Sequence, residues 1–524
     1  LESIHIDSIK KFLTDCEFKS LIPRFTSLVA NLHNHTENAP DIYVEQNQQI
    51  IAPDKSIINE LGIMLWVWQS QYTNADWETI TSVTGKSDPD EIRIYLIKQL
   101  QDSGLWDIYQ NIEQPLIAIL AEMKQVGVYI DTTILAKLSI DYHRRLDILE
   151  TEIYEMTGET FNINSPKQVS TVLFEKMMLG SDDKKIKIKK NKSGGYSTRE
   201  SELEKLRGLH PVIDKLLAYR ELQKLLSTYI DTLPTYADEH SRIHGDFIQH
   251  GSSTGRFAST NPNLQNIPIR GTDGARLRDA FIAPKNKKLL IVDYSQIELR
   301  VVAIMSGDTT LIDIFKNGID IHSGVASEMF NVPIDAVTGD MRRKAKTINF
   351  GILYGMGVTA LGVSLGIPRS EAITYHDAYF AQFPKVRDYM EQTVVFAKKH
   401  GYTETMFGRR RMFGEITSGM PHIIAMAERA AANAPVQGSA ADIIKLAMIA
   451  TYNRIKSENL SEQVAMVMQI HDELVFEIDP SVADRASEII RDEMEQVLTR
   501  AFKPIITDVP MSVSLTISDS WGEK

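Results

Sequence analysis

Two stretches of this chain are apolar enough to be buried strands, and both run into bare acids. Leu289-Leu290-Ile291-Val292 leads directly into Asp293-Tyr294. Farther on, Met466 to Glu477 reads as two apolar strands flanking His471-Asp472-Glu473, a β-hairpin with its acids at the turn. Burying an unpaired carboxylate is costly. A buried strand that ends this way therefore needs something to neutralise it, and a pair of divalent cations would do so. Mg²⁺ takes carboxylate and phosphate oxygens and keeps several waters. In two-metal phosphoryl chemistry the ions sit roughly 3.5–4 Å apart and stabilise the attacking and leaving oxygens. Either acid alone would more simply be a strand end facing water.

A second pattern lies between these strands. Arg342, Lys346, Phe350 and Tyr354 are spaced by four and form one stripe on a helix. Cations suit a triphosphate, and aromatic rings suit a base or sugar. Gly351 and Gly355 weaken the helix by about 1 kcal/mol each, which implies a bend or a close approach there. The plainer reading of the same stripe is an amphipathic helix, with aromatics in the core and cations in water.

The rest of the chain frames these features. At 524 residues there is room for three or four domain-sized units. The character is mixed to about residue 110, with Leu61 to Trp68 a buried segment and Gly85 to Asp90 a loop. From Pro115 to Tyr236 it is mostly helical. Leu116, Ile119, Leu120 and Met123 fall at helical spacing up to Gly127, and a second long helix is expected from Ile134 to Met156. Strands appear after about residue 240, interrupted by a helical stretch from 310 to 440. That order predicts an α+β domain with a mostly helical insertion. Lys184, Lys185, Lys187, Lys189, Lys190 and Lys192 crowd one loop, either a solvated hairpin tip or a tip that tracks a phosphate backbone. No apolar run approaches the roughly 18 residues of a membrane span. Cys16 is the single cysteine, which excludes an internal disulfide and a cysteine-based zinc site and fits a reducing, cytoplasmic-type compartment. The formal net charge of −12 runs against a generic nucleic-acid binder, although local basic tracks can sit on an acidic whole. The chain starts at Leu1 and reads as a fragment or processed form.

Together the runs resemble the bacterial DNA polymerase I type of family A DNA polymerases. Asp293-Tyr294-Ser295-Gln296-Ile297-Glu298-Leu299-Arg300 is similar to that family's motif A. Arg342 through Gly355 looks like motif B, and His471-Asp472-Glu473 like motif C. Thr254-Gly255-Arg256, Pro262 through Arg270, and Glu428-Arg429 through Asn433, Pro435 and Gln437-Gly438 match as well. The likeness runs from about residue 110 to the end.

The resemblance implies a right-hand polymerase of the α+β class: a palm with an antiparallel sheet, helical fingers and thumb, and a small remnant N-terminal domain. The expected boundaries are 1–110 for a reduced, inactive 3′–5′ exonuclease-like region, 111–236 for the thumb, 237–308 for the first part of the palm, 309–440 for the fingers and 441–524 for the rest of the palm. It implies DNA-templated DNA synthesis in replication and repair, with two Mg²⁺ ions, or Mn²⁺ in their place. Partners would be primer–template DNA and deoxynucleoside triphosphates, acting on a monomer with no membrane contact. Asp293, Asp472 and the Tyr294 carbonyl would bind metal, with Glu473 assisting near the primer end. Arg342, Lys346 and His322 would hold the triphosphate, Lys346 also protonating the leaving pyrophosphate. Phe350 would pack on the sugar, Tyr354 would stack near the templating position, Glu298 would exclude a ribose 2′-hydroxyl, and Gln296 completes the nucleotide set. Arg256, Gln265, Asn266, Arg429, Asn433, Gln437 and His471 would contact primer and template through the minor groove, whose near-degenerate acceptors permit a test of pair geometry without reading sequence.

Departures from the family matter too. Residues 1 to 110 are too short for a full exonuclease domain, so proofreading is expected to be absent. Phe12 to Phe25 resembles a linker that follows a 5′ nuclease domain. Thr84-Gly85-Lys86-Ser87 ends like a phosphate-binding loop, but Ile80 stands where that motif needs glycine. His33-Asn34-His35 reads as a polar loop. Two other readings compete: a non-catalytic primer–template binder, which should have lost an acid, and a polymerase active on RNA templates.

Overall fold

Why the strand Lys288–Tyr294 is apolar throughout, and does not alternate, is explained by what covers it. Leu289 and Ile291 belong to one hydrophobic core while Leu290 and Val292 belong to another, so both faces of the sheet are packed. The structure is a computed structural model that describes residues 52–180, 188–191, 194–268 and 272–524. Cys16, the linker-like run at 12–25, His33-Asn34-His35, Arg270 and four of the loop lysines (Lys184, Lys185, Lys187, Lys192) lie outside those residues.

The main sheet has four antiparallel strands: β1 (Lys288–Tyr294), β2 (Val464–Ile470), β3 (Glu473–Ile478) and β4 (Val513–Ser518), in the order β4-β1-β3-β2. The register sets Asp293 opposite Glu473 on one side and Ser514 on the other. Only His471 and Asp472 form the β2–β3 turn, and His471 takes φ +53° there. Glu473 is the first residue of β3 and not part of the turn, a small correction to the expected hairpin.

Helices cover both faces. On one side stand α1 (Lys55–Trp68), α2 (Trp77–Thr84), α3 (Pro89–Asp102) and α4 (Gln114–Val126). The run Leu61–Val67 is wholly buried in α1. Gly85 closes α2 in the left-handed region, and Pro89 is the first residue of α3. The expected loop is thus shorter than the sequence suggested, because Pro fits the first helical turn and Asp88 caps it by accepting from Asp90 and Glu91. On the other side, α5 (Thr132–Thr157) packs against α6 (Val212–Leu225), with Asp131 capping α5.

Between β1 and β2 run α7 (Ile297–Ser306), α8 (Ile321–Phe330), α9 (Gly339–Leu353), α10 (Pro384–His400) and α11 (Pro421–Ser457), with shorter helices among them. This expected helical stretch is broken by a small hairpin, Tyr402–Glu404 with Arg410–Met412. Gly401 and Gly408, both at positive φ, end α10 and turn the hairpin. Arg409 in that hairpin reaches a buried charge cluster with Asp442 and Lys445 of α11 and Glu113 beside α4.

Candidate active site

The sheet brings the acids together at one end of β1 and β3. The Tyr294 N–H donates to the Asp472 carbonyl at 3.1 Å, locking the turn against the tip of β1. Tyr294 itself is buried, and its hydroxyl donates to the Met494 carbonyl. Asp293 and Asp472 are partly exposed, whereas Glu473 is buried. The Glu473 oxygens are both engaged: Trp521 Nε1 donates to Oε1 at 2.6 Å, and the Lys524 ammonium pairs with Oε2. Lys524 also lies 2.8 Å from Asp293 Oδ2. Burial pulls the Lys524 pKa down, but Glu473 and Asp293 outweigh it and hold the ammonium above the ordinary lysine range.

Asp472 has neither hydrogen bond nor ion pair on its carboxylate among the described residues. Burial, with the like charges of Glu298 and Asp293, outweighs Arg256 and pushes its carboxyl up to about 7. This is a site with an excess of carboxylate oxygen, and that donor chemistry fits a hard divalent cation. No three His, Cys, Asp or Glu side chains converge into a self-sufficient metal centre among the described residues. Two carboxylates and a main-chain carbonyl would leave coordination positions for phosphate oxygens and water.

Glu298, in the first turn of α7, joins the acids to the cationic helix. It is 5% exposed, accepts from Arg256 at 2.6 Å and accepts from the Tyr354 hydroxyl at 2.6 Å. Gln296 sits at φ +50° where β1 turns into α7. The stripe on α9 forms as spaced: Arg342 and Lys346 are exposed, and Phe350 stacks on Tyr354 with ring planes 15° apart. Lys346 makes no ion pair among the described residues, whereas Arg342 is held by Asp320 through two hydrogen bonds of 2.9 Å. Asp320 also caps α8, the helix that carries His322. Asn349 Nδ2 donates to His322 Nδ1 at 3.1 Å, and the Phe350 ring lies 5.7 Å away. Burial, helped by Lys346 and Arg342 against Asp320, lowers His322 to about 4. The ring is therefore neutral near pH 7, with its Nε2–H left as a donor.

Both glycines of the stripe prove to be close approaches. A Cβ on Gly351 would meet Met356 Sδ at 3.3 Å, and one on Gly355, at φ +67°, would meet Arg429 Cβ at 3.0 Å. Arg429, Asn433 and Gln437 share α11; Arg429 is exposed, and Asn433 is buried with no hydrogen-bond partner for its Oδ1 among the described residues. Gln265 donates to Gln469 at 3.0 Å, next to His471, while Asn266 is exposed. Arg256, Gln265, Gln469, His471 and Asp472 line one small pocket. Sequence reasoning missed Lys524, Trp521 and Asp320. Only Asp320 carried a local signal, as a capping residue directly before Ile321-His322. Nothing local marks Lys524 or Trp521, because their partners are some fifty residues or more away in the chain.

A profile described as DNA polymerase family A matches residues 132–523. DNA polymerase I of Rhizobium leguminosarum is 42% identical over 82% of this chain and 42% of its own length. The thermostable DNA polymerase I of Thermus aquaticus is 43% identical over 80% of this chain and 48% of its own. For DNA polymerase I of Caldicellulosiruptor bescii the values are 41%, 86% and 52%. The chain spans about half the length of these curated relatives. Among solved structures, the POL domain of Pol1 from M. smegmatis, in complex with DNA primer–template and dNTP, matches with a TM-score of 0.82. It is 34% identical, and the match covers 88% of this chain and 81% of that one.

Proposed function

The chain belongs to DNA polymerase family A, and on that premise we propose that it extends a primer 3′ end on a DNA template. Its partners are then primer–template DNA and deoxynucleoside triphosphates. The observation that carries the reading is the register that pairs Asp293 with Glu473 beside Asp472, with Glu298 linking those acids to the cationic stripe through Tyr354.

In this reading Asp293, Asp472 and the Tyr294 carbonyl hold two Mg²⁺ ions, or Mn²⁺, which supply activation of the primer 3′-oxygen and charge neutralisation on pyrophosphate. Lys346, without an ion pair among the described residues, meets the triphosphate and protonates the departing pyrophosphate. Arg342 exchanges Asp320 for phosphate, and neutral His322 donates from Nε2. Phe350 packs on the sugar, and Glu298 fills the space of a 2′-hydroxyl. Arg342 and Tyr354 are both parked on protein carboxylates, which supports a swing of α9 onto a correct nucleotide. Arg256, Gln265, Asn266, Arg429, Asn433, Gln437 and His471 grip primer and template. We assign residues 1–110 to a remnant nuclease region, 111–236 to the thumb, 237–308 and 441–524 to the palm and 309–440 to the fingers. We further propose that proofreading is absent; excision of a mismatched 3′ nucleotide in Mg²⁺ that persists through purification would overturn it.

Primer extension with Mg²⁺ and four deoxynucleotides tests the main reading. The intact chain should extend and Asp293→Ala should not. Duplex binding without extension by either would favour a non-catalytic binder.

A further inference from the structure

The last residues of the chain do not trail away from the palm. Trp521 is fully buried, with its backbone N–H on the Phe281 carbonyl at 2.8 Å and its ring edge-on to Phe281 at 5.5 Å. The Arg278 guanidinium lies over the indole at 3.8 Å. Gly522 presses on Asp279 so closely that a Cβ would fall 2.9 Å from the Asp279 nitrogen. Lys288 pairs with Asp519 at 2.6 Å, and the Asp519 N–H donates to Glu523. Lys524 is thus delivered to a fixed place, between Asp293 and Glu473. Among the described residues no other cation forms an ion pair with either acid. Arg278 lies within electrostatic reach of both acids but pairs with neither among the described residues, and Arg256 is committed to Glu298.

We propose that Trp521–Lys524 is a cation clip for the catalytic carboxylates, in which the Lys524 ammonium is the resident counter-ion that a divalent ion must displace from Asp293. This rests on the metal reading given above. The division of labour among the acids follows from the contacts. Glu473 has both oxygens taken by the clip and stays with it, whereas Asp472 has none taken among the described residues and is the open end where an ion enters. Lys524 is partly exposed, at 29% of its side chain, and its flexible stem lets the ammonium leave Asp293 while keeping Glu473. Lys524 is then a positioning residue: it prevents Asp293 and Glu473 from repelling each other and sets the ion concentration at which the site loads.

Mn²⁺ binding to the full chain, followed by electron paramagnetic resonance without DNA or nucleotide, reads this directly. Lys524→Met should tighten Mn²⁺ by about fivefold to tenfold, as expected for removing one charge near a partly buried site. Lys524→Arg should stay near the parent value, and Asp472→Asn should lose the ion. Thermal melts give a second readout. Lys524→Met should melt below the parent in EDTA, and the gap should close in Mn²⁺. Unchanged or weaker Mn²⁺ binding by Lys524→Met, with Asp472→Asn still losing the ion, would overturn the clip and leave the metal reading standing. Binding indifferent to both Asp293→Asn and Asp472→Asn would overturn the metal reading and the clip with it.

Discussion

Phe350 shows how much a single hydroxyl should matter. Its ring lies between His322 and Tyr354 on the face that would meet the sugar and phosphates. Phe350→Tyr should raise use of dideoxynucleotides by roughly 10–100-fold, the worth of a hydrogen bond to a charged group of about 1.5–3 kcal/mol. Competition between deoxy- and dideoxynucleotides in single-turnover incorporation measures it. His322 carries a pH signature of its own. In the unfolded chain it takes up a proton near its ordinary pKa of 6.5, but in the fold only near 4. The unfolded state therefore binds the extra proton between those values, and the His322 contribution is present above 6.5 and lost as pH falls toward 4. His322→Gln should lose less melting temperature than the parent between pH 7.5 and pH 5, as read by circular dichroism.

Elements behave as their caps and glycines direct. Helix α4 stops at Gly127 because that residue holds φ +67° and ψ 175°, a conformation costly for any L side chain. A Cβ there would also stand 2.8 Å from His244 Nδ1 and 2.9 Å from the Ile243 carbonyl. Gly127→Ala should cost about 2–4 kcal/mol in urea unfolding, the sum of strain and overpacking. Helix α9 is the element most fully readable in advance. The four-residue spacing placed Arg342, Lys346 and Phe350 on one stripe of it, with Tyr354 at its C-cap, and Gly351 and Gly355 signalled a bend or a close approach. Which neighbours, Met356 and Arg429, no spacing could tell.

At the scale of the molecule, the buried cluster of Glu113, Arg409, Asp442 and Lys445 ties the early helices to α11. Lys445 and Glu113 have fully buried side chains 2.7 Å apart. Burial lowers the Lys445 ammonium to about 8 despite its acidic partner. Removing one member leaves the other charge stranded, so Lys445→Met should destabilise the fold by about 3–5 kcal/mol in equilibrium unfolding. The cluster also backs the strand-to-loop turn that carries Arg256, since Arg409 Cδ would lie 3.3 Å from a Cβ on Gly255. The same variant should therefore slow extension more than its lost stability accounts for, measured well below its melting temperature.

Local chemistry made part of this protein legible from the sequence. Apolar runs gave β1 to within a residue, periodicity gave α5 and the α9 stripe, and long ordered motifs pointed to the family. Those signals are local, or are repeated along a contiguous run, so no tertiary contact is needed to read them. The loop expected over Gly85 to Asp90 gives way to a helix from Pro89, because proline both breaks and starts helices and the Asp88 cap decides between them. What only the tertiary structure decided are pairings across long stretches of chain. Arg342 rests on Asp320, Glu298 holds Arg256 and Tyr354 together, and Lys524 reaches back 231 residues to Asp293. Such contacts form when the sheet closes and its strands find register, and a charged residue far away in the chain gives no local sign of the partner it will meet.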